Sequence, residues 1–101
     1  MEIRIEKEMN RALVSLNGRF DLTANLSFRN ATRPLMGEDE VDTVVIDFHQ
    51  VPFIDSSALG LLLLLREQAS AAKKTVVLRK CGPDLTRILT ISNFNKMFLM
   101  E

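Results

Sequence analysis

Neither sign of charge prevails in this chain, where thirteen Lys and Arg residues balance thirteen Asp and Glu. No long block of either sign occurs, so the electrostatic footprint of a nucleic-acid binder is missing and no contact with DNA is expected. Cysteine and histidine appear once each, as Cys81 and His49. A lone cysteine excludes an internal disulfide, and one His with one Cys lacks the paired spacing from which a metal site is built. The four glycines are too scattered to form a loop that cradles phosphates. No cofactor is therefore expected, and any nucleotide would have to arrive with a partner. No apolar run approaches the roughly 20 residues of a membrane-spanning helix, because the leucines 61–65 run into Arg66-Glu67-Gln68. The start, Met1-Glu2-Ile3-Arg4-Ile5-Glu6-Lys7, alternates charge with apolar residues where a secretory signal needs an apolar core, and the expected compartment is the cytoplasm.

What the chain does have is 47% hydrophobic residues in 101 positions, enough for one core. Surface scaling predicts about 5,800 Å² folded against about 16,500 Å² unfolded, which suits one domain over the whole chain. Ile3 and Ile5 alternate with Glu2, Arg4 and Glu6, and Ala12, Val14 and Leu16 alternate with Leu13 and Ser15. That pattern predicts two half-buried strands joined into a hairpin by the polar turn 8–10. Gly18 ends the second strand, and Asp21 or Thr23 can cap a helix whose apolar positions are Ala24, Phe28, Ala31 and Leu35. Pro34 should kink that helix or finish it near Arg33. An acidic connector over 37–42 leads to a strand over 43–48, apolar on both faces and so expected at the centre of the sheet, parallel to its neighbours. His49 is expected in the loop beyond it.

A helix over 56–72 and a strand over 75–78 follow. Gly82-Pro83 opens a third helix carrying Leu85, Ile88 and Leu89, Asn93 suits a left-handed turn, and a short strand falls within 97–100. The order ββαβαβαβ predicts an α/β fold, a mixed sheet with helices as crossovers.

Function points to the handover from strand 43–48 to helix 56–72. Asp55-Ser56-Ser57 before a long apolar segment reads as a cap and first turn, which places a serine hydroxyl among unpaired N–H groups at the positive end of the helix dipole. A phosphate is well accommodated there. The plain alternative is that these residues do no more than cap the helix. With Ser56 set to 0° and about 100° per residue, Ala58, Leu61, Leu62, Leu65, Ala69 and Ala72 cluster around 200°, the expected core stripe. Gly60, Leu63, Leu64 and Glu67 fall between about −20° and 80°, on the serine's side. Leu63 and Leu64 are therefore candidates for a docking patch, the other explanation being a loop or helix that covers them. Asp21, His49, Asp55 and Ser56 include the residue types of a serine hydrolase, but there is no Gly-x-Ser-x-Gly elbow and no sign of a base in reach, so no enzyme is expected.

Phe53-Ile54-Asp55-Ser56-Ser57-Ala58-Leu59-Gly60 resembles the Asp-Ser-Ser/Thr-Gly-Leu-Gly signature of STAS domains, in particular the bacterial anti-sigma factor antagonists. Gly18-Arg19-Phe20-Asp21 is similar to that family's Gly-x-Leu/Phe-Asp after the second strand, and the element order and length fit over essentially the whole chain. The resemblance implies a single STAS domain over residues 1–101, with Ser56, directly after the aspartate, as the phosphorylated residue. Asp21, Asp55, Ser57 and Gly60, with Leu63 and Leu64, are the expected partner or kinase contacts. It implies a switch that binds an anti-sigma factor when Ser56 is free and lets it go when a serine kinase has modified it, with a cognate phosphatase to reset it. A monomer is expected. The alternative is a constitutive accessory subunit, similar to STAS proteins of lipid-transport ATPases or of stress-signalling scaffolds. One departure is Ala58, which stands where the family usually has glycine; it favours the helix by roughly 1 kcal/mol but adds a methyl group where a partner would approach.

Overall fold

Charge alternating with isoleucine forms the first hairpin. In the computed structural model, which describes all 101 residues, Glu2–Glu8 (β1) pairs antiparallel with Arg11–Asn17 (β2) across Met9-Asn10, in unbroken register from Glu2 opposite Asn17 to Glu8 opposite Arg11. A short 3-10 helix, Leu22–Ala24, leads into Asn25–Thr32 (α1). Pro34 acts as its residue type demands: the α-helix stops at Thr32 and passes into a 3-10 helix, Arg33–Gly37, with the proline in its first turn. Thr43–Gln50 (β3), Ser56–Ala71 (α2), Thr75–Arg79 (β4), Pro83–Ile91 (α3) and Leu99–Met100 (β5) complete the chain. Proline at the start of α3 and the left-handed Asn93 just past its end mark its limits. α2 closes with Lys73 in the left-handed region at φ 60°, its N–H donating to Ser70 O and that of Lys74 to Ala69 O.

The strands lie side by side in chain order, β1-β2-β3-β4-β5, with the first pair antiparallel and the rest parallel. Each crossover steps one strand in the same direction, and right-handed connections then put all three helices on one face. The core lies there: Ala12, Val14 and Leu16 of β2, Val44, Ile46 and Phe48 of β3, and Val76 and Leu78 of β4 pack against Phe28, Leu62, Leu65, Ala69 and Leu89. The accessible surface, 5995 Å², is close to the scaling value for one core.

β3 is central and parallel on both sides, but its two apolar faces are not both covered by helices. Val45, and Val77 beside it, are buried on the open face, in a row with Leu13 of β2 on one side and Leu99 of β5 on the other. Arg11 reaches Glu101 across that face at 2.7 Å, and Arg79 lies 3.8 Å from the buried carboxylate of Asp47. Several expectations need correction. His49 is not in a loop; it lies in β3 and is exposed, because the strand continues to Gln50. Ile5 and Ile88 are exposed rather than buried, since β1 lies at the sheet's edge and Ile88 on the outer side of α3.

Candidate functional site

Past β2 the chain turns at Gly18, whose φ of 115° is a conformation that a side chain would strain. Gly18 N–H donates to Gln50 O at 3.0 Å, Phe20 N–H to Phe53 O at 2.9 Å, and Asp55 N–H to Phe20 O at 3.3 Å. An isolated parallel bridge between Phe20 and Ile54 prolongs the β2–β3 pairing beyond the strands themselves. These bonds hold segment 18–22 beside segment 50–55, so Asp21 and Asp55 come from adjacent extended stretches.

Asp55 caps α2 in an extended conformation, its Oδ1 accepting from Ala58 N–H at 3.1 Å. Its second oxygen, Oδ2, accepts from Leu22 N–H at 3.3 Å. One carboxylate thus ties the start of α2 to the start of the 3-10 turn that precedes α1, which the sequence did not reveal because the partners are 33 residues apart. Asp21 caps that 3-10 turn, accepting from the N–H and the hydroxyl of Thr23. The Thr23 hydroxyl above all, with help from the Thr23 N–H and Arg19, holds the Asp21 carboxyl below its ordinary pKa against an opposing desolvation. The Arg19 guanidinium lies 3.5 Å from Asp21 and 4.2 Å from the centre of the Phe53 ring.

Ser56, the first residue of α2, is exposed, and Ser57 is half-buried. Gly60, Leu63, Leu64 and Glu67 are exposed, whereas Ala58, Leu61, Leu62, Leu65 and Ala69 are buried. The Ala58 methyl therefore points into the core, and the departure from glycine leaves the outer surface unchanged. A Cβ at Gly60 would meet nothing within 4 Å, so nothing in this chain requires glycine there. Leu22 and Phe53, in the two segments that meet at Asp55, are also exposed, as is Leu26 in α1. Their only signal in the sequence is that Leu22 and Leu26 fall off the stripe of Ala24, Phe28, Ala31 and Leu35.

No cavity touches Ser56; the largest, on the open face of the sheet, is lined by Glu2, Arg4, Glu6, Asp47 and His49 among others. The structure does not bring His49 and Ser56 into one site. Burial, with a smaller contribution from the Asp47 carboxylate, pushes the Cys81 thiol up to about 11, which disfavours its reactive thiolate form. What the residues around Ser56 offer is an exposed hydroxyl at a capped helix start, directly after the Asp55 carboxylate, with Leu63 and Leu64 exposed on the same side of the helix.

The family model described as "Mlab, STAS domain" matches residues 3–101. The chain belongs to the STAS family. This family is non-enzymatic. A STAS-domain containing protein of Pseudomonas aeruginosa (strain UCBPP-PA14) is 38% identical over 85 residues, covering 84% of this chain and 82% of the relative. An anti-sigma factor antagonist from Mycobacterium paratuberculosis superposes with a TM-score of 0.82 at 24% identity, over 98% of this chain and 83% of the other. The Bacillus cell fate determinant SpoIIAA, in its phosphorylated form, does so with a TM-score of 0.76 at 20% identity, over 99% and 91%. At those identities the two structures establish the STAS fold. No helix of this chain is long and apolar enough to cross a membrane.

Proposed function

We propose that this STAS domain is an anti-sigma factor antagonist switched by phosphorylation: it sequesters an anti-sigma factor while Ser56 is free and releases it once a serine kinase has modified Ser56, a phosphatase restoring the binding form. The observation that carries this reading is the exposed Ser56 at the head of α2, directly after the Asp55 cap, with Leu63 and Leu64 exposed on the same side of the helix. The likeness to a fold solved in a phosphorylated form supports it.

Asp21, Asp55, Ser57 and Gly60 would complete the contact surface for the antagonised factor or the kinase. A phosphoryl group adds nearly two negative charges and considerable bulk where a partner's apolar surface must seat, beside carboxylates already present. The helix dipole accommodates this charge, so release works through the interface and leaves the fold intact.

The test is phosphopeptide sequencing of the protein purified from its own host, with Ser56→Ala and Ser56→Asp titrated against the antagonised factor. Phosphate on Ser56, full binding by Ser56→Ala and lost binding by Ser56→Asp are expected. Modification mainly at Ser57 would overturn the site. Absence of phosphoserine under every growth condition, with Ser56→Asp binding normally, would make the domain a constitutive accessory subunit of a transport ATPase or signalling scaffold instead.

A further inference from the structure

The two edges of the sheet are unequal. β5 presents two residues and β1 presents seven, with no proline and no break in its register. A very short edge is one of the ways proteins avoid unwanted pairing, whereas a long regular edge offers a row of unpaired N–H and C=O groups to another strand. Side chains on β1 restrict what that strand can be. Glu2, Arg4, Glu6 and Glu8 share the open face, while Ile3, Ile5 and Lys7 share the helix face. Ile5, at the middle of the strand, remains 37% exposed and lies outside the core.

We propose that β1 pairs antiparallel with β1 of a second copy of this chain, about a two-fold axis through Ile5 perpendicular to the sheet. This axis sets same-face residues opposite one another, as a self-complementary interface requires. Ile5 then covers its own counterpart, each Arg4 faces a Glu6 of the other copy, and each Ile3 faces the stem of a Lys7 whose ammonium is already paired with Glu38. The like-charged Glu2 and Glu8 meet only at the two ends, where each Glu8 is also diagonal to an Arg4. An axis through Arg4 would instead oppose the two arginines, and one through Glu6 the two glutamates. Only the Ile5 axis engages all seven residues, and it continues the sheet from five strands to ten.

Sedimentation equilibrium of the whole chain over a concentration series tests this. A reversible monomer–dimer equilibrium that weakens with added salt is expected. Arg4→Glu and Glu6→Arg, both at exposed positions, should each weaken the dimer by about tenfold or more, because each turns both opposite-charge pairs into like-charge pairs. Mixing the two variants should restore association, since at positions 4 and 6 the glutamates of one variant then face the arginines of the other. Monomer at all concentrations, a dimer indifferent to both substitutions, or a mixture no tighter than either variant alone would each overturn the proposal.

Discussion

Along α2 the same residue type meets opposite fates. Leu61, Leu62 and Leu65 lie in the core with Ala58 and Ala69, while Leu63 and Leu64 are 40% and 37% exposed on the side that carries Ser56, Gly60 and Glu67. The inward stripe is satisfied by the chain's own strands, so its contribution is to stability. The outward stripe gains little from the fold and keeps apolar area that a partner can desolvate. Angle around the helix, more than residue identity, decides which leucine does which.

The largest effect expected comes from breaking the inward stripe. Leu62→Ala should cost about 2–5 kcal/mol, read from denaturant or thermal unfolding, because Leu62 is fully buried beneath the sheet. Asp55→Ala acts at the end of α2 where the stripes meet. Losing the cap should cost about 1–2 kcal/mol, and it also strips Leu22 N–H of its acceptor. Exchange of the Leu22 amide with solvent deuterium should quicken, and an unchanged rate would show that the tie between the two segments carries no weight.

Leu63→Ala and Leu64→Ala sharpen the contrast from the other side. Each should lower stability by less than about 1 kcal/mol and weaken binding to the antagonised factor about tenfold, measured by melting and by titration of the same preparations. Should they unfold the domain as severely as Leu62→Ala does, the stripes are not separable and docking must move to the loop around Gly18. The smallest effect is expected at Gly60, where the structure leaves room for a methyl group. Gly60→Ala should raise stability by about 0.5–1 kcal/mol, and a simultaneous loss of affinity would show that the partner approaches the helix closely there.

Much of this was legible in the chain. The run 43–48, the cap at Asp55 and the spacing of the leucines predicted β3, the start of α2 and the sorting of Leu62 from Leu63 and Leu64, because each depends on residues within two turns or one strand. Pro34 likewise announced the end of α1. The site was legible only in part. Ser56 and Asp55 stand in one motif, but the bridge from Asp55 to Leu22, the stacking of Arg19 on Phe53, and the exposure of Leu22 and Phe53 arise from the bridge between Phe20 and Ile54.

The sequence by itself determined which segments become strands and helices, where they are capped and which stripe of each is apolar, since periodicity and end chemistry act over a few residues. Only the tertiary structure decided that all helices share one face, that His49 ends up in a strand on the other, and that β1 is left as a long free edge. Those outcomes depend on the direction in which each crossover steps along the sheet, and that direction is set by packing between segments tens of residues apart, which local pattern does not encode.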